Sequence, residues 1–163
     1  MKDIFSMLET APSQIPYSKT CRRNLIRLVQ TVDPDLDLSK EVLFMDISQS
    51  EKFGDKVLHN ICPTLTRARA GQGGFFIYNL QRMMTTGEML AVQGFPKKRF
   101  QRQGLMTDAN RQVSERQFRM MIGNSMAVPV LGRLVHRLLL VTGAIPDGTP
   151  DPWDTHKKNA QKK

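Results

Sequence analysis

Four side chains between residues 64 and 69 have the chemistry to bind an anion. Thr64, Thr66, Arg67 and Arg69 stand just before the glycine-rich stretch 71–74. Hydroxyl groups, guanidinium groups and glycine amides at this density can converge on one phosphate oxygen. The same pattern is typical of a hairpin with outward polar residues, and taken alone it favours the hairpin. The glycines do not form the G-x-G-x-x-G pattern of a dinucleotide loop.

The sequence offers little for nucleophilic or metal chemistry. Cys21 and Cys62 lie far apart and outside any C-x-x-C motif, which suits a reducing intracellular compartment. Cys62 precedes a proline, and we expect it to be an ordinary buried or half-buried thiol. The sequence predicts no metal site, because the histidines are scattered: His59, His136 and His156.

The chain is basic, with a formal net charge of +9 at pH 7. Four lysines after residue 156 contribute four of these charges, which leaves +5 (9 − 4) for the rest. A positive balance favours partners with phosphate backbones, although ordinary surface lysines produce the same balance. No run of eighteen or more apolar residues occurs, so we expect no membrane-spanning helix. The N-terminus lacks the apolar core of a secretory signal.

Capping patterns predict the elements that carry these residues. Ser18 can cap a helix that ends by Pro34, and residues 41–47 are typical of a strand. Two short extended segments should flank the glycine-rich stretch, the second of them at 75–78. Thr85 and Glu88 form a capping box for a helix over 86–92 that ends at Gly94, and Ser114 and Gln117 form another for a helix that stops at Gly123.

The last predicted helix has the clearest pattern. It runs from about residue 129 to 142, with Pro129 in the first turn and Gly143 in a left-handed C-terminal cap. A linker and a disordered lysine tail should follow over 144–163. The helix has one apolar face, made of Leu131, Leu134, Val135, Leu138 and Leu139.

Three stretches together resemble the last signature blocks of the DNA cytosine-5 methyltransferases. Residues 82–96 are similar to R-x-L-[ST]-x-x-E-x-x-R-L-Q-G-F-P, and residues 122–131 to G-N-[SA]-x-x-V-x-V-L. Residues 63–74 resemble the P-T-[LI]-T block with its following glycines. Met84 replaces the usual leucine, a volume-conserving change, and Ala91 replaces the usual arginine. The order and spacing fit the C-terminal end of that family.

The resemblance implies a fold and a set of site residues. The fold class would be an α/β fragment, part of a target-recognition region plus the C-terminal helix that docks on a Rossmann-like methyltransferase domain. Asn124 and Ser125, otherwise typical of a helix-entry turn, would line the S-adenosylmethionine pocket. The DNA backbone would be touched by Thr64, with Thr66, Arg67 and Arg69 as further candidates.

Several parts of such an enzyme are not legible in residues 1–163. These are the F-x-G-x-G cofactor loop, the Pro-Cys nucleophile that attacks a flipped cytosine, the Glu-Asn-Val acid and the Q-x-R-x-R strand. The resemblance covers about residues 42–143. We therefore predict the C-terminal part of a DNA cytosine-5 methyltransferase, with no catalytic residue in this chain. It would act on double-stranded DNA and need the missing N-terminal catalytic portion or a complementing subunit, and alone it should be inactive.

The predicted organisation has four parts. Residues 1–60 would belong to the target-recognition region, 61–122 would join it to the catalytic domain, 123–143 would complete that domain, and 144–163 would form the linker and tail. The main alternative is a non-catalytic, basic nucleic-acid-binding module derived from the same fold, and a further one is a remnant without a stable fold. An intracellular location is expected, nuclear in a eukaryote and cytoplasmic in a bacterium or virus.

Overall fold

The computed structural model describes residue 8 and residues 18–54, 56–96 and 113–153. The sequence also predicts a short helix that includes Ile4 and Leu8 and ends before Pro12, and a basic loop over 97–102. Apart from residue 8, these two segments and the lysine tail lie outside the described residues. The described elements are the helices α1 (Lys19–Val29), α2 (Arg67–Gly71), α3 (Thr86–Val92), α4 (Glu115–Asn124) and α5 (Val128–Val141), two short 3-10 helices (Glu51–Phe53 and Tyr78–Leu80), and the strands β1 (Leu43–Met45), β2 (Val57–His59), β3 (Phe76–Ile77) and β4 (Arg82–Met83).

The four strands form one antiparallel sheet in the order β2-β1-β3-β4. Phe44 pairs with Leu58 on one side and with Ile77 on the other. Successive residues of a strand point to opposite faces, so Phe44 and Met45 enter different cores. The fold is thus a small α/β arrangement, compatible with a fragment of a methyltransferase fold.

Each face of the sheet is covered by helices. On one face, Leu28 of α1 packs with Met45, Ile47 and Phe76. On the other face, α2, α3 and α4 enclose the larger core, which contains Val42, Phe44, Leu65, Ala70, Phe75, Ile77, Met84, Met89, Leu90, Phe118 and Ile122. None of the described helices is long and apolar enough to cross a membrane.

The predictions that rest on the two capping boxes and on Gly94 and Gly143 are confirmed. Helix α3 spans Thr86–Val92 and has the expected capping box, and Gly94 beyond it has φ of 78°. Helix α4 has the second capping box and ends at Asn124, one residue after the predicted stop. Helix α5 lies within one residue of its predicted ends, and Gly143 has φ of 69°. Ser18 occupies the N-cap of α1, but its side chain makes no capping bond.

One element was predicted wrongly. The segment before the glycines was expected to be extended, but its last part is α2. Thr66 caps this short helix, because its hydroxyl accepts the amide of Arg69 at 3.4 Å. Ala70 of α2 is fully buried in the core that α4 also enters, through Phe118 and Ile122. Packing against α4 therefore stabilises a helix that is too short to be stable alone.

Candidate functional site

An open depression of about 630 Å³ lies between α2 and the junction of α4 with α5. Five of the six predicted site residues line it. Thr64, Thr66 and Arg67 are on one side, and Asn124 and Ser125 are on the other. The structure therefore brings the predicted DNA-binding and cofactor-binding groups together, although about sixty residues separate them in the chain.

Gly123 permits this juxtaposition. A β-carbon placed on Gly123 would lie 2.4 Å from the carbonyl oxygen of Thr66 and 2.8 Å from the β-carbon of Ala70. Only glycine allows α4 to approach α2 so closely, because real β-carbons do not make such short contacts. The glycine that was expected to end a helix thus also joins the two sides of the depression.

The 82–96 block contributes Gln93 to the lining of the depression. The Gln93 carbonyl accepts the amide of Val128 at 2.8 Å, and the Gln93 side-chain amide donates to the carbonyl of Ile122 at 3.3 Å. Gly94 packs on Pro129, since a β-carbon at Gly94 would lie 2.4 Å from Cδ of that ring. The block thereby positions the start of α5 and the end of α4.

The polar groups of the depression differ in what they already bind. Thr64 and Arg67 are exposed. The Thr66 hydroxyl oxygen accepts the amide of Arg69 and keeps its own proton to donate. The Ser125 hydroxyl donates to the carbonyl of Ile122 at 2.5 Å, which leaves its oxygen able to accept, and Asn124 is exposed.

Arg69 is the predicted site residue that does not line the depression. Its guanidinium forms an ion pair with the buried carboxylate of Asp46 at 3.2 Å. It also donates to the Ser48 hydroxyl at 2.5 Å and to the Gln49 side-chain oxygen at 3.2 Å. These contacts tie α2 to the loop after β1, and a spacing pattern cannot reveal them because they join residues twenty or more positions apart.

The comparison with protein families identifies what kind of chain forms this site. Residues 8–139 match the model of the C-5 cytosine-specific DNA methylases, which is well over half of the chain. The chain belongs to this family. The match begins well before residue 42, where the sequence resemblance starts. Comparisons with curated proteins and with solved structures gave no significant match.

The methylase assignment makes the chain a member of the DNA cytosine-5 methyltransferases, transferases that methylate DNA and generally use S-adenosylmethionine.

Its family blocks contain one further feature, the buried ion pair between Arg82 and Glu88. Two hydrogen bonds of 2.9 and 2.8 Å join the groups, whose side chains are 3% and 1% exposed. Glu88 Oε2 also accepts the Thr85 amide at 2.7 Å. The sequence pattern predicts Glu88 only as the acid of the capping box.

Cys62 of this methylase chain has the properties of an unreactive thiol. Burial, followed by the negative charge of Glu88, raises its pKa from 9.0 to about 12. The neutral thiol donates to the carbonyl of Pro63 at 3.5 Å. A nucleophilic cysteine needs the thiolate near neutral pH, so this environment opposes that role. In the part of the chain that the structure describes, no three His, Cys, Asp or Glu side chains gather as a metal site would require.

Proposed function

We propose that this chain is the C-terminal part of a DNA cytosine-5 methyltransferase, contributing DNA-backbone contacts and one wall of the S-adenosylmethionine pocket. The observation that supports this most is the shared depression, in which Thr64, Thr66 and Arg67 face Asn124 and Ser125. A methylase must hold its target strand beside the methyl donor, and a common wall for both ligands meets that requirement.

The DNA side of the depression suits a phosphate. Thr64 has an exposed hydroxyl, Thr66 keeps a proton to donate, and the exposed Arg67 guanidinium can make charge-assisted hydrogen bonds with phosphate oxygens. Arg69 could join them only by leaving Asp46, which would bury an unpaired carboxylate. We therefore rank Arg67 above Arg69 as the DNA-binding arginine.

The cofactor side combines polar and apolar groups, as a small-molecule pocket does. Asn124 offers an amide that can both donate and accept, and Ser125 offers a hydroxyl oxygen that can accept. Met126, Ala127 and Val130 add apolar surface to the same lining. These residues fit one wall of a pocket for S-adenosylmethionine, which supplies an electrophilic methyl group when bound. Their part is to bind and orient it.

The outer face of α5 supports a proposal about where the catalytic portion docks. Large apolar side chains are unusual in such number on the surface of a soluble protein. Six of them lie along this helix with at least two fifths of their surface exposed, namely Val130, Leu131, Leu134, Val135, Leu138 and Val141. We propose that this face packs on the Rossmann-like domain that carries the nucleophile and the cofactor loop, in a preceding segment or a complementing subunit.

Methyl transfer from tritiated S-adenosylmethionine to duplex DNA tests the proposal. The tagged chain is purified from the organism that carries its gene, and is assayed with its co-purifying proteins and again after they are stripped away. Activity should require a partner whose cysteine nucleophile directly follows a proline. Methyl transfer by the stripped chain would contradict the proposal that the nucleophile lies outside this chain. Purification of the chain alone, as a monomer, would refute the proposal of a complementing subunit.

Single variants assign the two sides of the depression. Arg67→Gln should weaken duplex binding and lower the magnitude of the log–log salt slope by about 0.9. Asn124→Ala and Ser125→Ala should instead weaken photocrosslinking to S-adenosylmethionine in the complemented enzyme. Arg137→Gln, an exposed change on α5, is the charge control for Arg67→Gln.

The net charge of +9 favours a second candidate, a non-catalytic module that binds nucleic acid through phosphates. It predicts salt-dependent duplex binding that S-adenosylmethionine does not change, and no methyl transfer with any partner. A salt slope near zero for the chain would rule it out.

A further inference from the structure

Helix α1 presents a basic face that the proposed function leaves unexplained. Lys19, Arg22 and Arg23 are exposed, and Arg27 is partly exposed. The helix contains no acidic residue. Its opposite face is buried on the sheet through Leu28. The four cations therefore share the side of the helix that faces solvent.

The position of these charges is unfavourable for the helix itself. Lys19, Arg22 and Arg23 lie in its N-terminal half, where the macrodipole is positive and favours anions. The nearby Glu51 lies 3.7 Å from Arg23 and 3.3 Å from Arg27, but its side chain is about half exposed. An exposed ion pair of this kind contributes at most about 1 kcal/mol. The phosphates of an external ligand would add anions beside this positive end of α1.

Two apolar side chains accompany the cations. Ile26 is 64% exposed on the same face of α1, and Phe53 is 69% exposed two residues after Glu51. We call Lys19, Arg22, Arg23, Ile26, Arg27 and Phe53 the α1 surface. Cations interleaved with exposed apolar groups are typical of surfaces that hold a sugar-phosphate backbone, where arginine binds phosphate and apolar groups contact sugar.

The helices that carry the α1 surface and one side of the depression contact the same loop after β1. The side-chain amide of Asn24, on the buried side of α1, donates to the carbonyls of Ile47 and Gln49 at 2.8 and 2.9 Å. Arg69 of α2 binds Ser48 and Gln49 from the other side. Helices α1 and α2 are therefore both hydrogen-bonded to the loop after β1.

We propose that the α1 surface is a second contact for the phosphate backbone of double-stranded DNA, separate from the one at Arg67. The inference rests on the proposed function, because it assumes that duplex DNA lies at the depression. The α1 surface supplies sequence-independent affinity and orients the duplex on the enzyme. Base recognition is not assigned to it.

The test compares two variants with equal loss of charge. Arg22→Gln/Arg23→Gln and the control Arg116→Gln/Arg137→Gln each remove two exposed arginines from helices. Duplex affinity is measured by fluorescence anisotropy of the full chain across a range of NaCl concentrations, and circular dichroism checks folding. The α1 variant should lower the magnitude of the salt slope by about 1.8, with a many-fold loss of affinity, and the control should change the slope far less. Equal slopes would overturn the proposal.

Further variants separate this inference from the proposed function. Arg22→Lys/Arg23→Lys keeps the charge and should keep most of the slope. If Arg67→Gln weakens duplex binding while the α1 variant does not, the proposed α1 contact is wrong, and the proposed DNA contact at the depression is retained. The reverse result keeps the α1 contact and removes the DNA role of Arg67. If the α1 arginines matter for binding vesicles of anionic lipid but not for binding duplex, the surface is a membrane contact and the proposal fails.

Discussion

The backbone of Gly123 lies against the carbonyl of Thr66, so that a β-carbon at residue 123 would be 2.4 Å from that oxygen. The same oxygen accepts the Ala70 amide at 2.9 Å, within the first turn of α2. The carbonyl cannot move aside without breaking that bond. One glycine therefore sets the distance between the two sides of the candidate site.

Gly123→Ala should destabilise the protein by about 1–3 kcal/mol, the usual cost of overpacking. Helix propensity alone predicts the opposite, since alanine is favoured over glycine by about 1 kcal/mol inside a helix. Urea denaturation of both proteins measures the difference. Asn124→Ala, at an exposed position in the same turn, should stay within about 0.5 kcal/mol of the wild type. A Gly123→Ala protein as stable as the wild type would show that the contact is not tight.

Gly94→Ala should cost more than Gly148→Ala, although both glycines have a similar left-handed backbone, with φ of 78° and 82°. Each change adds about 1–2 kcal/mol of backbone strain. Only at Gly94 does the new β-carbon also meet Pro129, 2.4 Å from its Cδ, whereas nothing lies within 4 Å at Gly148. We expect a further cost of about 1–3 kcal/mol in thermal or urea unfolding. The double change Gly94→Ala/Pro129→Ala should recover part of it, and equal costs for the two glycines would contradict the packing.

Breaking the buried pair should be costly. Glu88→Gln leaves the Arg82 guanidinium buried without its counter-charge, and we expect a loss of about 3–5 kcal/mol. The double variant Arg82→Met/Glu88→Gln should lose less than the sum of the two single variants, which a double-mutant cycle in urea would show. The half-exposed pair of Arg133 with Asp151 is the control, and Asp151→Asn should cost at most about 1 kcal/mol. Additive effects at residues 82 and 88 would refute the coupling.

Cys62 should make the protein less stable at high pH. Its pKa is raised from 9.0 to about 12 in the fold, so between these values the unfolded chain loses the thiol proton while the folded chain keeps it. The contribution of the buried, neutral thiol to the free energy of unfolding is therefore fully present below pH 9 and is lost as the pH rises toward 12. Wild type should lose about 2 kcal/mol more than Cys62→Ala between pH 9 and pH 11. Cys21→Ala, which keeps this thiol, should follow the wild type, and parallel curves for wild type and Cys62→Ala would contradict the burial effect.

Local sequence patterns predicted the elements whose signals act within one or two turns. The pairs Thr85–Glu88 and Ser114–Gln117 predicted the starts of α3 and α4, because each capping box is closed by residues three apart. Gly94 and Gly143 predicted helix ends, because glycine adopts positive φ at little cost. The resemblance to the methylases depended on residue types at short spacing, and the family match agrees with it.

Which side chains contact one another across the fold depends on the tertiary structure. It made residues 67–71 helical through packing on α4, turned Arg69 toward Asp46, and paired Arg82 with Glu88 inside the core. It also placed Thr66 against Gly123, which joined the predicted DNA and cofactor groups in one depression. These contacts depend on how the helices pack on the two faces of the sheet. A linear pattern cannot encode that geometry, because the free energy of each contact depends on burial that many distant residues create together.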